Sequence, residues 1–150
     1  MRNRNKLLIF VILLAMGFAP RIFAQNNLEI DRVFEKYGRQ KGAVMVEMSK
    51  EMLDGYDFTY YKSIVVNDSK EAGDLARLCL KSDQKNAKKV KQVVSNGEVS
   101  SIYLQLPRKG KYHRLILFNE SVKPNRKMTL IYIESEKDSE EILKLILKKK

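Results

Sequence analysis

The sequence predicts an α+β domain: a mostly antiparallel sheet of about five strands with helices packed on one face. Three observations predict it. Apolar residues recur at helical spacing in some segments and in strict alternation in others. Three alternating segments lie consecutively near the C-terminus, joined only by the short polar links "PRKG" and "VKPNR", which reads as an antiparallel meander. The chain has a single cysteine, so its core must hold it together without an internal disulfide.

Taken in order, the chain opens on "KLLIFVILLAMGFAPRIFAQNN". The apolar run from Leu7 to Ala19 is 13 residues, short of the about 20 that cross a bilayer as a helix. Arg2, Arg4 and Lys6 precede it, Gly17 and Pro20 break it, and small Ala24 closes it. This is the pattern of a secretory signal peptide over residues 1–24, with an exported product of 126 of the 150 residues and no transmembrane segment after processing. Residues 25–150 are then the size of a single domain. Removing the four leader cations Arg2, Arg4, Lys6 and Arg21 from a formal charge of +11 leaves +7.

A first helix is expected after Asn26, which caps with Glu29 at N3 and presents Ile30, Val33, Phe34 and Tyr37 on one side before Gly38 stops it. "GAVMVEMSK" alternates as a strand, with Val44, Val46 and Met48 on one face and Met45 and Glu47 on the other. Ser49 to Gly55 forms a short helical turn, and "FTYYKSIVV" is β-branched and aromatic, hence a second strand. Asp68 and Glu71 cap a helix whose stripe is Ala72, Leu75, Ala76 and Cys79, which predicts a buried thiol. A further helix is expected over residues 83–94, ended by "SNG". The strands "EVSSIYLQL", "KYHRLILFN" and "KMTLIYIES" follow. Asp138 with Glu141 then caps a last helix with an apolar face of Ile142, Leu143, Ile146 and Leu147, acidic at its start and basic at its end as the helix dipole favours.

The leader followed by Gln25-Asn26, and above all the stretch "KYGRQKGAVMVEMSKEML", resembles a group of small exported Gram-negative bacterial proteins known only as domains of unknown function. The resemblance implies an α+β fold and a periplasmic or envelope location. It implies no catalytic residue.

No nucleophile elbow, phosphate-binding loop, dinucleotide fingerprint or zinc-protease motif is present, and no cofactor is expected. His113 is the sole histidine and lacks the Cys and His company of a zinc site. Asp54 and Asp57 flank a glycine, where aspartates commonly form turns, and the spacing is not that of an EF-hand. An enzyme assembled from scattered residues would have to draw on Asp57, His113 and the tyrosines Tyr56, Tyr60 and Tyr61.

Charge is more informative. On a helix through residues 81–94, Lys81, Lys85, Lys88, Lys89 and Lys91 share an arc of about 160° opposite Ala87, Val90, Val93 and Val94. A one-signed face is either the solvated side of an amphipathic helix or, because like charges at helical spacing repel by about 0.2–0.5 kcal/mol per pair, a surface for an acidic partner. The expectation is a non-enzymatic binding or interaction module for an acidic protein or anionic envelope component, with the five lysines as its face. Attachment to an anionic lipid surface through those lysines or the Lys148–Lys150 tail is a rival. Nucleic acid fits the charge but not an exported location. The basic turns at Arg108, Lys109 and Lys111 and at Lys123, Arg126 and Lys127 should lie at opposite ends of the sheet.

Overall fold

The computed structural model describes residues 27–148; the leader, the Asn26 cap and the last two lysines lie outside the described residues. Helix α1 (Asp31–Tyr37) is followed by strands β1 (Ala43–Met48) and β2 (Tyr60–Asn67) and by helix α2 (Lys70–Asp83). A 3₁₀ turn (Gln84–Asn86) leads into strands β3 (Lys89–Ser95), β4 (Glu98–Lys109), β5 (Tyr112–Ser121) and β6 (Lys127–Ser135), and helix α3 (Ser139–Lys148) follows. Among the described residues, six strands form one antiparallel sheet in the order β1-β2-β6-β5-β4-β3. The α+β class therefore holds, with six strands rather than five.

The extra strand replaces the helix expected over residues 83–94. Two features override helical periodicity there. Val90, Val93 and Val94 are β-branched and restrict helical rotamers. Asn96 and Gly97 both take positive φ (52° and 79°), the conformation of a tight hairpin turn, and they pair Ser95 with Glu98. The "SNG" that resembles a helix stop is thus a hairpin turn, and the meander has four strands.

The helices also divide between the two faces of the sheet. On one face, α1 and α2 bury Val33, Phe34, Tyr37, Ala76, Cys79 and Leu80 against Ile64, Ile102, Leu104, Ile116, Phe118 and Leu130. On the other, α3 lays Ile142, with Leu143 and Ile146, on Tyr103, Leu115 and Ile133. Alternation explains this: Leu115 and Ile116 are adjacent in β5 yet belong to different cores. Only the centre of the α3 face is covered. At the margin, Val44 and Val46 of β1 remain 61% and 40% exposed.

Caps decide the helix limits. Ser69, not Asp68, caps α2, its Oγ accepting from Ala72 N at 3.2 Å, while Asp68 bends the entry with φ 56°. α1 has no side-chain cap of its own; Asp83, at the far end of α2, accepts the N–H groups of Glu29 (2.8 Å) and Ile30 (3.0 Å). Asp138 accepts from Glu140 N at 2.8 Å and so starts α3 as its sequence predicts.

Candidate functional site

The five lysines do not form one helical stripe. Lys81 sits in the last turn of α2, Lys85 in the 3₁₀ turn, and Lys89 and Lys91 in β3. Lys88 N donates to Gln105 O at 2.7 Å just ahead of that strand. β3 is an edge strand, and all seven of its residues are exposed. Its register places Lys89 opposite Gln105 and Lys91 opposite Tyr103, hence on the α3 face. There Lys89 Nζ reaches Glu140 of α3 at 2.6 Å and holds that carboxyl below its ordinary value. Lys91 Nζ lies 5.7 Å from the Tyr103 ring centroid, a cation–π distance. Val90 alternates to the other face, opposite Leu104. Lys88, Lys89 and Lys91 are therefore displayed along a sheet edge that has no strand beside it among the described residues, while Lys81 and Lys85 lie off that edge.

At the opposite end of the sheet lies an open cleft of about 620 Å³ between the β3–β4 turn and the end of β5, lined by Asn96, Glu98, Asn119, Glu120, Lys123 and Arg77. Its inner wall is a buried charge network. Glu120, on the α2 face of β5 two residues beyond Phe118, is 5% exposed. It accepts from Arg77 of α2 and, at 2.7 Å, from Arg126. Arg77 also donates to Val99 O (2.7 Å) and Asp74 (3.2 Å), with Glu98 at 3.9 Å. The guanidinium is thus neutralised from three sides, so this wall offers a ligand little free charge. Gly73 makes the arrangement possible, because a Cβ there would stand 2.5 and 2.8 Å from the Glu120 carboxylate. Sequence reading missed Glu120. The available signal was a carboxylate in register with the buried Ile116 and Phe118.

His113 and Asp57 lie on either side of Ser135. His113 is paired with Ser135 across the β5–β6 ladder, and Ser135 Oγ donates to the main-chain carbonyl of Asp57 at 2.5 Å. A serine thus stands between a histidine and an aspartate at one sheet end, but their bonds run elsewhere. Ser135 is fully buried and its Oγ also accepts from Lys137 N at 3.0 Å. The Asp57 carboxylate is tied to Lys137 Nζ at 2.8 Å. A triad needs its hydroxyl aimed at the base and its acid behind the ring; here both serve the loop. The tyrosines separate as well. Tyr60 faces the α1 side, where its hydroxyl donates to Glu47 at 2.5 Å and its ring meets Tyr132 edge-on at 5.9 Å, and burial with that carboxylate pushes the phenol well above its usual range. Tyr61 packs with Phe58 on the α3 side, and Tyr56 lies in the intervening turn. No shared aromatic platform results.

Fold and surfaces define a class: a small α+β protein with one six-stranded antiparallel sheet, helices on both faces and a lysine-bearing edge. Within that class the chain belongs to a family of unknown function, DUF6108, whose pattern matches residues 18–146. No protein of curated function and no solved structure matches it. Among the described residues, no helix is long and apolar enough to cross a membrane, and no group of three or more His, Cys, Asp or Glu is placed to hold a metal ion.

Proposed function

We propose that this chain is an exported, non-enzymatic binding module whose edge strand β3 takes up an extended acidic segment of a partner protein. The observation that carries the reading is β3 itself, an edge strand exposed along its whole length, with Lys88 before it and Lys89 and Lys91 in it. An added strand would satisfy the outer backbone groups, and acidic side chains at alternate positions would meet Lys89 and Lys91. The same lysines repel a second β3, which keeps this edge open for a partner of opposite charge. Export is supported by the sequence alone, through the basic n-region, the short apolar run and Ala24. The exported product should have the mass of residues 25–150; a full-length product would overturn processing.

Binding is tested with a labelled peptide alternating Glu and Val. Lys88→Gln, Lys89→Gln and Lys91→Gln together should weaken it by roughly tenfold, at about 0.2–1 kcal/mol per exposed charge, and should flatten its salt dependence. Replacing Lys36, Lys123 and Lys127 by Gln removes equal charge elsewhere and should leave affinity within about twofold. N-methylation of alternate peptide residues should abolish binding, because it removes ladder donors. Equal loss in both lysine sets would reduce the effect to net charge and end the proposal.

A further inference from the structure

The other edge of the sheet differs from β3. β1 carries Val44, Met45 and Val46, all exposed, with Glu47 as its only charge. Edge strands are normally blunted by lysine, proline, a bulge or a cover. β1 has neither lysine nor proline, pairs with β2 without a register shift, and is the terminal strand of the sheet. The segments around it are oppositely charged. Arg39 and Lys41 lead into the strand with formal charge +2. Glu47, Lys50, Glu51 and Asp54, at its end and beyond, sum to −2. Arg39, Lys41, Glu47 and Glu51 are all exposed.

We infer that β1 pairs antiparallel with β1 of a second copy, joining two six-stranded sheets about a two-fold axis through Val46. A strand that is basic before and acidic after is complementary to itself only when the copies run antiparallel, since each basic lead-in then lies beside the other's acidic exit. Antiparallel residues directly opposite share a face. With Val46 on the axis, Val46 meets its own symmetry mate and Val44 meets Met48 of the second copy. Both pairs lie on the α3 side, at the margin that α3 leaves open. The contact is isologous and closes on itself, so it gives a dimer and not a fibre. Parallel pairing would instead set Arg39 and Lys41 beside their own copies. Self-pairing through β3 is opposed by its lysines. The surface is distinct from the edge assigned to the acidic partner, so either assignment can fail alone.

The test uses sedimentation and light scattering on the protein as it is isolated after export. The wild-type chain should show about twice the monomer mass, falling on dilution. One variant combines Arg39→Glu with Lys41→Glu and another combines Glu47→Lys with Glu51→Lys; each makes both flanks alike in sign and should be monomeric. Mixed in equal amounts, the two should recover the dimer mass, because the flanks of one then complement those of the other. Val44→Lys, at an exposed position, should also give a monomer with an unchanged circular dichroism spectrum. A wild-type chain that stays monomeric, charge variants that stay dimeric, or a mixture that does not associate would overturn the inference. So would loss of the dimer in the Lys88, Lys89 and Lys91 variant.

Discussion

Glu120 shows how much one residue can demand of its neighbours. A carboxylate in a core position is tolerated only when paired and hydrogen-bonded, and here Arg77, Arg126 and the absent side chain of Gly73 supply the conditions. Gly73→Ala should raise helix propensity by about 1 kcal/mol yet lower net stability by about 1–3 kcal/mol, because the new methyl displaces a carboxylate that two arginines hold in place. Glu120→Ala should cost about 3 kcal/mol, near the lower end for breaking a buried pair, since both arginines retain some access to water. Urea unfolding measures both; a Gly73→Ala protein more stable than wild type would show that Glu120 can move aside. Cys79 is the opposite case, a buried apolar thiol that burial pushes above its ordinary 9.0. Its folded value exceeds its unfolded one, so its contribution is constant below pH 9.0 and is lost as pH rises toward the folded value. Thiol reagents should therefore label Cys79 only at the rate of unfolding at pH 8. Cys79→Asp should destabilise by several kcal/mol.

At the level of elements, the hairpin turn at Asn96–Gly97 decides the fate of residues 89–95. Lysines and valines there satisfy a helical wheel and a strand equally well, and the turn breaks the tie by bringing β3 alongside β4. Gly97→Val places a β-branched residue at φ 79° and should cost about 2 kcal/mol or more. Hydrogen exchange should show the loss concentrated in β3, the edge strand, with β5 and β6 nearly unchanged. Uniform loss across the sheet would mean that β3 is integral to the core. The link between Asp83 and the start of α1 is another element-level device. It spans 54 positions, so it could not be read from local capping patterns.

For the whole molecule, the central strands bind the two cores into one unit. β5 contributes Ile116 and Phe118 to one core and Leu115 and Leu117 to the other. Both layers rest on these shared strands, so the chain should unfold in one transition. Ile142→Ala, which hollows the fully buried anchor of α3, should lower global stability by about 2–5 kcal/mol. It should shift the tyrosine signal and the far-ultraviolet signal together. A separate early tyrosine transition would show that α3 and its core melt independently.

The sequence by itself determined the α+β class, the amphipathic faces of α1, α2 and α3, the burial of Cys79 and the alternation that puts Val44, Val46 and Met48 on one side of β1. These depend on spacing within a few residues, where period 3.6 or period 2 is visible directly. It also carried the membership that the resemblance in "KYGRQKGAVMVEMSKEML" implied in outline, a family without assigned function. Only the tertiary structure decided that residues 89–95 are a strand, that α3 crosses to the second face, that Asp83 caps α1 and that Arg77 meets Glu120. Each of these is a contact between distant segments. Local pattern leaves such contacts open, because several pairings satisfy the same periodicity and only simultaneous packing of both sheet faces selects one.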